Sequence, residues 1–238
     1  MISFVIPTRN EPMIQILIRD INSIMNEIGG AFEVIIVDLS DDDTPLRAKG
    51  MGAKIYRQSS EGLGGALKEG LELAKGDIIF TMDGDLSHDP AFIPKFLTEI
   101  SKGFDIVVGS RRIKGGKVIG WGLRRRMTSW TANTLGRLLA GVKVSDLTSG
   151  YRAYKKEVLR KLNLKALDSK GYAFQLEILF EALKHGLRVG AVPIVFRDRT
   201  KGASKLGLKE IIEFFRISLR LFLKRLASSG LQHSIKDI

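Results

Sequence analysis

The sequence predicts an α/β fold in which helices cover both faces of a mostly parallel sheet. In the first half, short apolar runs alternate with segments whose apolar residues recur at helical spacing. Strands separated by helices favour parallel pairing. The hydrophobic content of 44% is sufficient for a core in a chain of 238 residues. We therefore expect one large α/β domain followed by additional helices.

The elements of the first half follow from local patterns. Strands are predicted where short apolar runs lie between turn signals, at residues 2–6, 34–37, 53–56, 78–82 and 105–108. Helices are predicted by apolar spacing and helix-start signals at residues 12–27, 62–74 and 90–100. A glycine-rich turn opens the second of these helices. Because it lacks the residues that complete a phosphate loop, we interpret it as a close-packing turn.

The second half is less regular. Residues 111–126 carry seven basic residues and no acidic ones, and we interpret them as a cationic loop that leads into a helix at 123–140. Residues 144–154 are predicted to be rich in turns. A helix at 172–185, a strand at 189–196, a second basic loop at 197–207 and an amphipathic helix at 208–226 complete the chain.

Composition limits the classes of function. The chain has no cysteine, which excludes disulfides, thiolate metal sites and a cysteine nucleophile. The net charge of +12 indicates anionic partners, such as nucleic acid, anionic lipid or phosphorylated small molecules. We find neither a signal-peptide pattern nor an apolar run long enough to span a membrane, so we expect a cytoplasmic protein.

Two carboxylates, Asp83 and Asp85, directly follow the central apolar run at 78–82. They are expected at the carboxyl end of a strand, where open α/β sheets bind ligands. Carboxylate oxygens together with phosphates are the ligands that Mg²⁺ prefers. The alternative interpretation of this triplet is a surface Asp-Gly turn.

Polar residues follow the other predicted strands as well. They are Pro7, Asn10 and Glu11 after the first strand, Asp38 after the second and Arg111 after the fifth. In a parallel sheet these positions share one edge, so we expect a ligand crevice there. The alternative for each residue alone is a helix cap or a turn.

At these residues the sequence resembles the inverting GT-A glycosyltransferases of family 2. The motifs are Pro7-Thr8-Arg9-Asn10-Glu11, Val37-Asp38, MDGDLSHDP at 82–90 and Gly109-Ser110-Arg111. Further motifs resemble the dolichyl-phosphate mannosyltransferases within that family, over residues 2–226. They are Gly115-Gly116-Lys117-Val118, Trp121, DLTSGYR at 146–152, KGYAFQLE at 170–177 and DRTKGASKL at 198–206.

The resemblance implies transfer of mannose from GDP-mannose to dolichyl or another polyprenyl phosphate, with inversion and with Mg²⁺ or Mn²⁺ as cofactor. It implies a catalytic domain over 1–207, an amphipathic helix at 208–226 that contacts a membrane, and a flexible tail at 227–238. The enzyme is then expected at the cytoplasmic face of a membrane, bound peripherally, with a small membrane subunit as a further partner and without nucleic acid.

The resemblance also assigns roles to residues. Asp83 and Asp85 bind the metal, and the catalytic residues are Asp85, Arg111 and Arg199. The nucleotide sugar is bound by Pro7, Arg9, Glu11, Val37, Asp38, Asp83, Gly84, Asp85, Ser87, Arg111, Arg199 and Lys205. From their positive charge we also expect Arg111, Arg124, Arg125 and Arg126 to bind the acceptor phosphate. Asp146 is expected to orient a loop rather than to act as a base.

Two positions depart from the family pattern. Leu39 stands where the family usually has a second aspartate after strand two, and Arg9 stands where some relatives have an aromatic residue.

Alternative interpretations remain at this point. A related enzyme could transfer glucose from UDP-glucose to the same lipid. The basic run at 124–126 is also compatible with a solvated face or a nucleic-acid patch, and the whole chain with a non-enzymatic nucleic-acid-binding module. The helix at 208–226 could pack on the domain, lie in a membrane interface, or do both.

Overall fold

A seven-stranded sheet organises the chain in the computed structural model, which describes residues 1–198 and 207–234. The strands are β1 (Ile2–Thr8), β2 (Phe32–Asp38), β3 (Lys54–Arg57), β4 (Ile78–Thr81), β5 (Ile106–Ser110), β6 (Lys117–Ile119), β7 (Arg152–Lys155), β8 (Val189–Pro193) and β9 (Val195–Arg197). Their order in the main sheet is β3-β2-β1-β4-β7-β5-β8, while β6 and β9 form a separate parallel pair.

Helices cover both faces of the main sheet, as predicted. They are α1 (Ile14–Ile28), α2 (Thr44–Gly50), α3 (Gly62–Leu73), α4 (Ile93–Ser101), α5 (Leu123–Ala140), α6 (Lys156–Lys161), α7 (Phe174–Lys184) and α8 (Leu208–Ser234), with 3₁₀ turns at Pro90–Phe92 and Leu164–Ala166. Alternate residues of each strand enter opposite cores. In β1, Phe4 and Ile6 pack with α1 and α4, whereas Val5 packs in the core that includes α3 and α7.

The strand β7 corrects the prediction that residues 144–154 form only turns. It is antiparallel to both β4 and β5 and lies between them in the centre of the sheet. Its first residue is Arg152, a fully buried arginine. The guanidinium donates hydrogen bonds to the backbone carbonyls of Leu147, Ser149 and Gln175. These carbonyls, one of them from α7, satisfy the charged group, so a central strand can begin at a residue that the sequence alone marks as exposed.

Three further differences concern short elements. The predicted strand at 189–196 is two strands, β8 and β9, that belong to different sheets. The break follows Pro193, which has no N–H to donate. The cationic loop at 111–126 contains β6, which pairs with β9. The helix α2 was missed because it is short and mostly polar, with a proline in its first turn.

The glycine-rich turn at the start of α3 serves close packing, as predicted. Gly62 has a φ of 74°, and a Cβ atom there would clash with the carbonyl oxygen of Lys170. The N–H of Gly64 donates to that same carbonyl at 2.7 Å. Only glycine permits this approach of two backbones.

The final helix α8 begins as predicted and continues to Ser234, beyond the predicted end at residue 226. One face, with Phe214, Ile217 and Leu221, is buried in the core. A second apolar stripe is exposed to solvent and consists of Ile212, Phe215, Leu219, Leu223 and Leu226. No helix in the described part of the chain has both the length and the hydropathy to cross a bilayer.

Candidate active site

The predicted ligand crevice lies at one edge of the sheet. The strands β1, β2 and β4 are parallel and end side by side, and Thr8 is in register with Asp38. The strand β5 runs in the same direction because both it and β4 are antiparallel to β7. The reversed direction of β7 brings the segment 146–151, which precedes it, to the same edge. The missed strand thus supplies an additional wall of the site.

Two cavities open at this edge. The strand-end cavity has a volume of about 530 Å³, and its lining includes Pro7, Thr8, Arg9, Glu11, Leu39, Gln58, Glu61, Asp83, Gly84, Asp85, Lys170, Tyr172 and Glu213. The helix cavity has a volume of about 670 Å³, and its lining includes Asp83, His88, Arg111, Trp121, Leu123, Arg124, Arg125, Thr148, Tyr172, Phe196, Phe214 and Phe215. Asp83, Tyr172 and Glu210 line both cavities.

The loop after β4 holds the two carboxylates in a strained turn. Leu86 has a φ of 64°, a conformation that residues with a side chain rarely adopt. This turn lets the N–H of Ser87 donate to Asp85 Oδ1 at 3.0 Å. The Ser87 hydroxyl is buried and has no hydrogen-bond partner within the part of the chain that the structure describes. Strain and an unsatisfied oxygen therefore coincide beside Asp85.

This arrangement fits a divalent metal. Asp83 and Asp85 line the strand-end cavity together, and the buried Ser87, which lies outside the lining found among the described residues, holds the Asp85 carboxylate through its N–H. Residues 1–198 and 207–234 contain no cluster of three or more metal-ligating side chains. Two carboxylates completed by phosphate oxygens are nevertheless a usual donor set for Mg²⁺.

His88 supports Asp83 from within the core. The backbone N–H of Asp83 donates to His88 Nδ1 at 3.0 Å, which leaves the proton of the neutral ring on Nε2. That Nε2 lies 3.8 Å from Asp83 Oδ2. Burial lowers the pKa of His88, and the nearby charges of Asp83 and Asp85 oppose this only in part. The ring stacks on Tyr151 at 5.1 Å between centroids. A neutral histidine therefore orients the Asp83 loop.

Asp38 and Val37 lie outside the lining found for the strand-end cavity in the described chain. Asp38 is buried, and its carboxylate accepts hydrogen bonds from Thr8 Oγ1 at 2.7 Å and from Ser40 Oγ at 2.6 Å. Arg57 also lies 3.4 Å from it. The geometry thus gives Asp38 a role in joining the ends of β1 and β2, while Leu39 faces the cavity.

Arg111 is held by Asp146. Its Nε and one terminal nitrogen each donate to the Asp146 carboxylate at 2.7 Å, and its backbone N–H donates at 3.1 Å. Burial alone would raise the pKa of Asp146, but the Arg111 charge and its hydrogen bonds outweigh burial and hold that pKa below its ordinary value. A carboxylate so engaged orients Arg111 and is unsuited to proton abstraction.

Aromatic rings surround the cationic groups of the helix cavity. The guanidinium carbon of Arg111 lies 5.3 Å from the Trp121 ring centroid and 5.4 Å from that of Phe196. Arg125 lies 4.4 Å from Trp121 and forms an ion pair with Asp198 at 2.7 Å. Stacked guanidinium groups are pre-organised for an anion, since the rings fix their planes.

The run Arg124-Arg125-Arg126 is divided by the helix that carries it. Arg124 and Arg125 line the helix cavity, whereas Arg126 lines a basic cavity on the other side of Arg111 and Trp121. Consecutive residues of an α-helix point in different directions. The three adjacent arginines therefore line different cavities. Arg199 and Lys205 lie outside the described residues, so their assignment to phosphate binding stays a prediction.

Some residues of the site were not predicted. Glu210 and Glu213 of α8 line the strand-end cavity, and Glu213 accepts a hydrogen bond from the Lys170 N–H at 2.8 Å. Tyr172 was noted only as part of a motif, yet it lines both cavities. The acidic residues on the polar side of α8 were the sequence signal that could have identified them. That side of the helix faces the sheet edge rather than solvent.

Comparisons with known proteins agree with this geometry. The family model described as Glycosyl transferase family 2 matches residues 3–162. The undecaprenyl-phosphate mannosyltransferase of Micrococcus luteus is 36% identical over 212 residues, which cover 85% of this chain and 86% of that protein. The polyprenol monophosphomannose synthase of Mycolicibacterium smegmatis is 43% identical over 162 residues, which cover 67% of this chain but only 61% of that protein.

Solved structures share the fold. Glucosyl-3-phosphoglycerate synthase from Mycobacterium tuberculosis, crystallised with Mn²⁺, UDP and glucosyl-3-phosphoglycerate, superposes with a TM-score of 0.69 at 24% identity and covers 94% of this chain and 79% of its own. The complex of that enzyme with Mn²⁺, UDP-glucose and phosphoglyceric acid has a TM-score of 0.70 at 23% identity, with the same coverage. The predicted GT-A fold is confirmed. The chain belongs to glycosyl transferase family 2 and is a glycosyltransferase.

Proposed function

We propose that this glycosyltransferase moves a mannosyl group from GDP-mannose to a polyprenyl phosphate, such as dolichyl phosphate, with inversion at the anomeric carbon and with Mg²⁺ or Mn²⁺ bound. The observation that carries the proposal is the pair of cavities that share Asp83 and Tyr172. One is lined by polar groups at strand ends, and the other by apolar side chains and arginines. They fit a nucleotide sugar and a lipid phosphate that meet at the shared residues.

The strand-end cavity suits the donor. Asp83 and Asp85 would hold the cation, which when bound acts as a Lewis acid on the diphosphate leaving group. Glu11, Arg9 and Gly84 line the same cavity and would contact the nucleoside and phosphates. The structural relatives crystallised with Mn²⁺ and UDP or UDP-glucose support a nucleotide sugar and a divalent metal as ligands of this fold.

The helix cavity suits the acceptor. Leu123, Phe214 and Phe215 offer an apolar surface for isoprene units, and Arg111, Arg124 and Arg125 offer charge for a phosphate. The phosphate oxygen is already anionic, so its attack on the sugar needs no strong base. This agrees with the engagement of Asp146 by Arg111. The names of the two curated relatives, a mannosyltransferase and a phosphomannose synthase for polyprenyl carriers, support the same substrates.

The positions of the cavities support the proposed inversion. The acceptor phosphate enters through the helix cavity and the diphosphate departs into the strand-end cavity, with Asp83 between them. A nucleophile that approaches opposite the leaving group inverts the anomeric carbon in one displacement. The segment before β7 contributes Thr148 and Gly150 to the lining of the helix cavity, on the acceptor side.

The helices α5 and α8 are proposed to hold the enzyme at a membrane surface. Leu123 and Met127 line the helix cavity and are 75% and 61% exposed, next to the exposed stripe of α8. Arg124 and Arg126 are exposed on the same helix. Apolar side chains beside cations are typical of interfacial helices on anionic lipid. A lipid acceptor would then enter directly from the bilayer, at its cytoplasmic face.

A transfer assay tests the proposal. The purified enzyme is given radiolabelled GDP-mannose or UDP-glucose and a short polyprenyl phosphate, with Mg²⁺, with Mn²⁺ or with a chelator. Transfer from GDP-mannose that requires metal and acceptor phosphate is expected, with a β-linked product from the α-linked donor. The matched control is the polyprenol without its phosphate. Faster transfer from UDP-glucose would contradict GDP-mannose as the donor. Transfer that does not require metal would contradict the proposed metal-binding role of Asp83 and Asp85.

A further inference from the structure

The lining of the strand-end cavity includes an ion pair that the proposed chemistry does not use. Glu61 and Lys170 both line the cavity, and their charged atoms are 2.6 Å apart. The two residues come from separate parts of the chain, the start of α3 and the segment before α7. We infer that this pair reads the base of the donor nucleotide and selects guanine. The inference deepens the proposed function and rests on it.

The position of the pair matches the length of a nucleotide. The strands β4, β1, β2 and β3 are successive neighbours, and neighbouring strands lie about 4.8 Å apart. The end of β3 is therefore on the order of 14 Å from the end of β4. With the diphosphate at Asp83 and Asp85 after β4, an extended nucleoside places its base beyond β2 and β3. Gln58 and Glu61 follow β3 at that place and line the cavity.

Another carboxylate near this end is already engaged. Asp38 accepts hydrogen bonds from Thr8 and Ser40 and lies outside the cavity lining found among the described residues. Leu39 replaces the second acidic residue and presents an apolar side chain suited to the face of a base. Glu61 is the carboxylate that lines the cavity after β3, so it can accept hydrogen bonds from the edge of the base.

The chemistry of the pair complements guanine. The pairing edge of guanine presents two donors, N1–H and the 2-amino group, followed by one acceptor, O6. A carboxylate accepts from both donors, and an adjacent ammonium donates to O6. Uracil presents one donor between two acceptors, so the second oxygen of the carboxylate would face a carbonyl. The pair therefore favours guanine through a new attraction and disfavours uracil through repulsion.

The backbone holds the two residues in place before the ligand arrives. The N–H of Gly64, in the first turn of α3, donates to the Lys170 carbonyl at 2.7 Å. The Lys170 N–H donates to Glu213 at 2.8 Å. The side chains themselves are mostly exposed, at 76% for Glu61 and 65% for Lys170. Exposed ion pairs are weak. Each side chain can therefore leave its partner and bind a base at little cost in free energy.

Nucleotide analogues test the inference without catalysis. Calorimetry in Mg²⁺ measures binding of GDP, IDP and UDP to the full chain and to the Glu61→Ala and Lys170→Ala variants. IDP has the hypoxanthine base, which lacks the 2-amino group but keeps N1–H and O6. The wild type should bind GDP about tenfold more tightly than IDP, the loss typical of a hydrogen bond to a charged group. In Glu61→Ala, GDP and IDP should bind equally. In Lys170→Ala, both should weaken by the same factor, because O6 is common to them.

The control is Glu72→Ala, which removes an exposed glutamate of α3 away from the cavity lining, and thermal unfolding confirms that each variant folds. If Glu61→Ala leaves the ratio of the affinities for GDP and IDP unchanged, this inference is wrong, although the proposal of a guanosine-diphosphate sugar donor is unaffected. A wild type that binds UDP more tightly than GDP would overturn both the inference and the guanosine donor. Metal-dependent transfer from another nucleotide sugar would then preserve the rest of the proposed function.

Discussion

The two cavities use carboxylates in opposite ways. In the strand-end cavity Asp83 and Asp85 line the space where a ligand would lie. Around the helix cavity, Asp146 and Asp198 are bound to Arg111 and Arg125, and aromatic rings cover the guanidinium groups. Carboxylates of the first region line the cavity in which we propose that the cation binds, whereas carboxylates of the second region hold arginines in place. The same residue types thus prepare two neighbouring sites for different partners.

The scaffolds of the two regions also differ. The ends of β1, β2 and β4 are held by parallel pairing in the centre of the sheet. The helix cavity lies largely between α5 and α8, which expose apolar residues on their outer surfaces. Strands suit the proposed diphosphate site, because their spacing is constant. Helices with apolar faces suit the proposed site for a flexible lipid chain, because they adapt to its length.

The largest effect is expected from the strand-end carboxylates. Asp85→Ala should reduce transfer by about a thousandfold or more, because the leaving diphosphate loses its metal-borne counter-charge. Asp83→Ala should follow closely, while the melting temperature changes little. Transfer rates at saturating Mg²⁺ and Mn²⁺ check this, with Asp20→Ala on the surface of α1 as control. Near-normal turnover of Asp85→Ala would contradict the proposal that the carboxylates of the strand-end cavity bind a metal needed for transfer.

The next effect concerns the buried pair beneath the helix cavity. Asp146→Asn leaves the Arg111 charge without its partner and should cost about 3–5 kcal/mol of unfolding free energy. Because the pKa of Asp146 is lowered in the folded state, the stabilisation is complete above the ordinary value of 3.8 and is lost as the pH falls through the folded pKa. The difference between variant and wild type should therefore shrink below pH 3.8 in denaturant titrations.

Asn133→Ala serves as a comparison for that experiment, because it removes a neutral partner of the same loop, whose amide oxygen accepts from the Leu147 N–H at 2.7 Å. Its cost should be independent of pH over the same range. An equal pH response in both variants would mean that the Asp146 charge is not the cause.

A smaller effect is expected at the membrane surface. Replacing Arg124 and Arg126 with Gln should weaken binding to anionic liposomes by about 2 kcal/mol at low salt. Phe215→Ser with Leu223→Ser should instead weaken the binding that survives high salt, since apolar burial is not screened. The buried Phe214 is unsuitable for this test because its loss would destabilise the core. Sedimentation with liposomes measures both effects. If the wild type does not bind, the proposal that α5 and α8 form a membrane-binding surface is wrong.

The smallest effect sharpens the contrast between the cavities. Trp121→Leu removes the ring that Arg111 and Arg125 face. The KM for polyprenyl phosphate should rise by about tenfold, the scale of a well-formed cation–π contact, while the affinity for GDP stays the same. Steady-state kinetics and GDP titration separate the two. A parallel loss of GDP affinity would show that the cavities are not independent.

The strand-end carboxylates could be predicted because each depends on local sequence. An apolar run followed by an acid identifies a strand and its end, as at Asp83 and Asp38. The strand β7 could not be predicted in this way, since the carbonyls that satisfy Arg152 include one from α7. The orientation of α8 was equally hidden. Its apolar residues form a buried face and an exposed stripe, and only the fold distinguishes Phe214 from Phe215.

The central position of β7 has a consequence for the synthesis of the chain. Until residue 155 has left the ribosome, the apolar strands β4 and β5 both lack the neighbour that joins them in the sheet. Unpaired strand edges of this kind promote association with other chains. The pairing also spans long stretches of sequence, which slows folding. Nascent-chain truncations before and after residue 155 should therefore differ sharply in aggregation, with chaperone demand concentrated in the interval between β5 and β7.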